Sequence, residues 1–146
     1  MSVLRNDLQV ALDDLHVALM ASADDYRDAA EFVSNGDVEA LFVQIAETRE
    51  ALAKSVEEAI RASDDLPSAP DPDRQTGQHF LQRLEAAFSA DQTVEIIDQR
   101  LMEESHLEQR LNAAEMSVID TAFSSLRSDC LESIKEVQEQ LGQAKE

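Results

Sequence analysis

One cysteine, three glycines, three prolines, one tyrosine, five phenylalanines and no tryptophan are all that 146 residues contain of those types. A single thiol closes no internal disulfide and builds no cysteine-based zinc site. So few turn-formers and aromatics argue against a β-sandwich or barrel, which needs many turns and many strand-forming residues. Basic residues are scarce too: 12 Lys and Arg stand against 31 Asp and Glu, a net charge of −19. Such a surface repels phosphate backbones and anionic lipid, so nucleic acid and membrane surfaces are poor partners. No segment offers the run of about 18 apolar residues that spans a bilayer. The opening stretch, Met1 to Asp7, lacks the basic start and apolar run of a secretory signal, and a cytoplasmic protein is expected.

What is present is helical pattern. Apolar residues make up 43% of the chain, enough for a packed core, and the length suits one domain over 1–146. Residues 3–34 place Leu4, Leu8, Leu12, Leu15, Leu19, Ala23, Tyr26, Ala30 and Val33 in steps of three and four, one face of a helix. Asn35-Gly36 is expected to end that helix in left-handed geometry, with Asp37 capping the next. A second helix over about 38–62 follows on Val38, Leu41, Ile45, Leu52, Val56 and Ile60. Residues 63–76 hold three prolines and four aspartates and read as a solvated loop. A short helix is predicted over 78–89 on Phe80, Leu84, Ala87 and Phe88, then a segment over 92–113 on Val94, Ile97, Leu101 and Leu111. The last helix, over 117–141, carries Ile119, Phe123, Leu126, Cys130, Ile134, Val137 and Leu141. A break near residue 115, with Ser117 as cap, separates the last two. A continuous helix over 92–141 would run about 75 Å and outreach every neighbour.

Short turns pair the first helix with the second and the fourth segment with the last, each pair antiparallel. Nearly thirty residues lie between the pairs, enough to travel the length of a bundle. Two hairpins joined by one long crossover is the ferritin-like arrangement. The stretch Tyr26-Arg27-Asp28-Ala29-Ala30-Glu31, with Glu39-Ala40-Leu41-Phe42 and Arg49 on the second helix, resembles a family of uncharacterised bacterial ferritin-like four-helix-bundle proteins. Glu104 falls where that family carries a glutamate on its third long helix. The resemblance implies an all-α, ferritin-like fold and leaves activity open.

Dinuclear iron or manganese bundles draw inward carboxylates from each of four helices, with Glu-x-x-His pairs on two. Helical phase turns most acidic residues outward here: Asp13, Asp24, Asp28 and Glu31 on the first helix, Glu47, Glu50 and Glu58 on the second. Glu104 and Glu108 are the exceptions, continuing the line of Val94, Ile97 and Leu101. A charge in an apolar face needs a partner, and Arg49, between Ile45 and Leu52, is the one basic residue read on such a face. The expected site is therefore a buried ion pair of Arg49 with Glu104, completed by Glu108 and Thr48, either fixing helix register or remaining from a lost metal site.

The remaining polar candidates are weaker. Glu103 and His106 have the Glu-x-x-His spacing but point away from Leu101, and His16 flanks its stripe. Cys130 lies among apolar neighbours, without the histidine or helix N-terminus that would activate it. No phosphate-binding glycine loop or serine nucleophile elbow is present. The leading reading is a non-catalytic bundle without cofactor, its metal ligands lost, acting by association. The short helix then serves as a homo-oligomer contact or lies over the bundle. The alternative is an iron or manganese carboxylate protein, an oxidase or iron handler, with Glu104 and Glu108 as ligands. A third reading has Arg49, Glu104 and Ser22 orienting the polar group of a small ligand.

Overall fold

The structure, a computed structural model, describes residues 6–63 and 92–146, all helix and connecting turn without a strand. The 63–76 loop beyond its first residue and the short helix expected over 78–89 lie outside the described residues. Four long helices and one short one are described: α1 (Asp7–Ala30), α2 (Gly36–Ala62), α3 (Thr93–Leu111), α4 (Ile119–Ala122) and α5 (Leu126–Lys145). None of these is long and apolar enough to cross a membrane.

Helix α1 begins in a capping box. The Asn6 side chain accepts from the Gln9 amide at 2.8 Å, and the Gln9 side chain accepts from the Asn6 amide at 3.0 Å. Two otherwise orphaned N–H groups are thereby satisfied. Gln9 also donates to the Ser63 carbonyl, 2.9 Å away, tying the start of α1 to the end of α2. Ser22 meets Arg49 further along, so the two helices run antiparallel in close contact.

The turn between them departs from expectation. Asn35, not Asp37, caps α2, its side-chain oxygen accepting from the Asp37 and Val38 amides. Gly36 is the first residue of the helix rather than a left-handed stop. The amide side chain does the capping, so the backbone needs no positive φ.

The second hairpin is less regular. Between α3 and α5 the chain makes a 3-10 turn, Ala114–Met116, then the single turn α4. The last long helix thus starts at Leu126, not near Ser117, and it runs through Gly142 to Lys145. Arg127 organises the connection: it grips Asp120 at 2.7 and 3.2 Å and donates to the Leu111 carbonyl at 3.1 Å. Its guanidinium holds the Asp120 carboxyl below the usual range. At the opposite end Lys145 meets Asp98 at 2.6 Å, so α3 and α5 are also antiparallel.

The hairpins pack face to face over two apolar clusters. One joins Leu12, Leu15 and Leu19 to Val56, Ile60, Leu107 and Leu111, and draws in Met116, Ile119, Cys130 and Ile134. The other joins Tyr26 and Phe42 to Ile45, Ile96, Ile97, Val137 and Leu141. These memberships orient the helices: the C-terminal halves of α2 and α3 lie together, so α2 and α3 run parallel. The inward face of α3 is rotated from the expected one. Val94 is 46% exposed, while Thr93, Ile96, Ile97, Arg100, Glu104, Leu107 and Leu111 are buried.

Candidate functional site

Between the two clusters lies a polar layer. Helix α1 supplies Ser22 and Tyr26, one turn apart; α2 supplies Arg49; α3 supplies Arg100 and Glu104, again one turn apart. Arg49 and Tyr26 are 0% exposed, Glu104 1% and Arg100 3%.

Glu104 is held on both oxygens. Its Oε1 accepts from Arg49 Nη2 at 2.5 Å. Its Oε2 accepts from Arg49 Nη1 at 3.0 Å and from the Tyr26 hydroxyl at 2.8 Å. Arg49 Nη1 also donates to Ser22 Oγ at 2.8 Å. The bidentate fork matches the planar carboxylate, and a phenol completes it; such charge-assisted bonds offset the large cost of taking two charges out of water. Arg49 Nε has no hydrogen-bond partner among the described residues.

Tyr26 is the hinge of the layer. Its ring meets Phe42 edge-on, centroids 5.6 Å apart at 73°. The guanidinium carbons of Arg49 and Arg100 lie 6.0 and 5.3 Å from the ring centre, within reach of cation–π attraction. Burial, then the Glu104 charge, pushes the Tyr26 hydroxyl well above its ordinary pKa. The phenol is therefore a neutral, permanent donor to Glu104, not a base.

Arg49 and Glu104 are thus brought together, and two expected companions are not. Thr48 is exposed and donates to the Gln44 carbonyl. Glu108 is half-buried, with no side-chain hydrogen bond or ion pair among the described residues. A further correction concerns charge: Arg49 is not the one inward cation, because Arg100 is buried as well. Arg100 stands four residues before Glu104 and four after Ile96, a spacing that marks it as inward once α3 is phased on Ile96 rather than Val94. Tyr26 lay on the expected face, but nothing in residue spacing announces which carboxylate its hydroxyl meets.

The other candidates stand apart. Glu103 and His106 approach to 3.7 Å with side chains 46% and 60% exposed. His16 is buried, its Nδ1 without a partner among the described residues. Cys130 is fully buried, and burial pushes its thiol up to about 11, so it is protonated at neutral pH and poorly nucleophilic.

The donors among the described residues do not fit a dinuclear iron or manganese centre. Such a centre needs several inward carboxylates or histidines. On α1 the inward position beside Tyr26 is Ala23; on α2 it is Arg49, a cation; on α5 the buried positions are Cys130, Ile134, Val137 and Leu141. Among the described residues no three His, Cys, Asp or Glu side chains gather as a metal would require. Glu104, the one buried carboxylate among the described residues, already has both oxygens engaged. No family model matches the chain, and no curated protein and no solved structure shows significant similarity to it.

Proposed function

We propose that the chain is a ferritin-like four-helix bundle whose inward carboxylate is neutralised by a guanidinium where related architectures hold a metal, and that it acts by association rather than catalysis. The observation carrying this reading is Glu104, whose two oxygens accept from Arg49 and Tyr26, so that its charge is already matched by a guanidinium. The parallel course of α2 and α3 supports a long crossover between the hairpins, since parallel helices cannot be joined by a tight turn. The raised Tyr26 hydroxyl and the raised Cys130 thiol are each poorly suited to act as base or nucleophile at neutral pH. The net charge of −19 sets the bundle against nucleic acid as a partner. Association, with a second copy or another chain, is then what a rigid acidic bundle contributes.

Metal analysis of purified protein, followed by titration with iron(II) and manganese(II), tests this. The expected result is far below one equivalent of either metal, and a melting temperature that a chelator does not move. About two iron or manganese ions per chain, lost on Glu104→Ala, would overturn the reading in favour of a di-metal carboxylate protein.

A further inference from the structure

The chain between the two hairpins has to travel the length of the bundle, and the described residues mark where it leaves and where it returns. It leaves at Ser63, whose carbonyl accepts from Gln9 near the start of α1. It returns at Gln92, ahead of α3, whose Glu104 meets Tyr26 near the other end of α1. Seventeen residues of α1 separate Gln9 from Tyr26, and eleven of α3 separate Thr93 from Glu104. At about 1.5 Å per residue, residues 64–91 must span about 40 Å alongside the helices.

One side of the bundle offers a track for that journey. Helices α1 and α3 face each other across an open groove of about 460 Å³, floored by Ala18, Ala21 and Leu107 and bordered by Val17. On α1, Val10, Val17 and Ala21 follow in steps of seven and four, one outward stripe. Val10 is 45% exposed and Val17 42%. The acidic residues of the groove are already engaged, Glu103 with His106 at 3.7 Å and Asp25 with a partner of its own. What the groove presents is therefore apolar surface. A second groove, between α2 and α5, is lined chiefly by Asn35, Asp37, Gln140 and Gln143, and suits an apolar partner less well.

We infer that the α1–α3 face is the docking site of the chain's own residues 78–89, with Phe80, Leu84 and Phe88 against Val10, Val17, Ala18 and Leu107. Those three apolar residues repeat every four positions, which on a helix sets them along about 12 Å of one face. Val10 and Val17 lie about 10 Å apart on theirs, so the two stripes match in length. Charge agrees. Residues 78–89 hold one acid, Glu85, against Arg83, and are neutral in a chain of net charge −19. A second copy would bring its own −19 to the same face and be repelled. The docking does not depend on whether the interior is metal-free.

Nitroxide labelling of the full chain, read in amide proton–nitrogen spectra, tests this. Cys130 is fully buried and protonated at neutral pH, so a cysteine placed at exposed Asp24 or Gln140 takes the label alone. The label on Asp24→Cys, beside the α1 stripe, should erase most of the amide signal of residues 80–88. The label on Gln140→Cys, in the α2–α5 groove, should leave that signal largely intact. Adding Val17→Glu should restore the signal in the Asp24→Cys chain, whereas Val94→Glu, at a site 46% exposed on α3, should not. Equal loss from both labels, greater loss from Gln140→Cys, or indifference to Val17→Glu would each overturn the docking. So would loss passed between molecules, when spin-labelled chain is mixed with isotope-labelled chain, since the face would then belong to a second copy. All four substituted positions are exposed, so the fold is not endangered.

Discussion

The α1–α2 hairpin and the α3–α5 hairpin are made of the same amphipathic helices, yet their ends are secured by different means. Helices α1 and α2, of 24 and 27 residues, both begin under an asparagine whose side chain satisfies backbone donors. Helices α3 and α5, of 19 and 20 residues, begin at Gln92 and Ser125 without a side-chain cap bond. The first hairpin is closed by local hydrogen bonds. The second relies on the Arg127 clamp at its turn and on what it docks against. Most of a helix's stability in a protein comes from tertiary packing rather than from propensity, and the second pair, without side-chain caps, owes more of its order to that contact.

That contact includes the charged layer, and removing it is the most severe way to break the comparison. Glu104→Ala leaves Arg49 buried without its carboxylate and should cost about 3–5 kcal/mol in urea unfolding. Replacing both partners, Arg49→Met with Glu104→Leu, should recover most of that loss, because the uncompensated charge is gone. A single mutant that unfolds like the parent would mean that the layer contributes little to holding the hairpins together.

The caps sharpen the comparison at smaller scale. Asn6→Ala and Asn35→Ala should each cost about 1 kcal/mol, whereas Ser125→Ala should stay within about 0.5 kcal/mol. Equal losses at all three positions, in the same unfolding series, would erase the distinction. The smallest effect belongs to Gly36. With a helical backbone and nothing within 4 Å of an added Cβ, Gly36→Ala should raise stability by about 0.4–1 kcal/mol. A left-handed Gly36 would give the opposite sign in thermal melts.

Much of this was legible in residue spacing, and the misses share a cause. Periodic leucines and isoleucines mark α1, α2 and α5 because an inward face must repeat every three or four residues. Arg49 and Glu104 stand out as charges in such faces, and they are neighbours in space. On α3 the apolar residues Val94, Ile96, Ile97 and Leu101 allow two phases, and the choice of Val94 hid Arg100 and overvalued Glu108. Asn35-Gly36 allows two assignments, since asparagine caps a helix start as readily as glycine ends one. The 3-10 turn and α4 were not foreseen, because their shape rests on Arg127 reaching back to Asp120 and Leu111. A spacing pattern holds no record of such contacts.

The polar layer also sets an order of events in folding. The first hairpin closes through contacts between near neighbours in the chain, whereas Glu104 meets Arg49 and Tyr26 across 55 and 78 residues. Distant pairings form only after the entropy of closing the intervening chain has been lost. If the carboxylate sheds its water only in the final docking of one hairpin on the other, its contacts are absent at the rate-limiting barrier and govern unfolding rather than folding. The layer would then be a latch, and Glu104→Ala would raise the unfolding rate in stopped-flow chevrons while leaving the folding rate almost untouched.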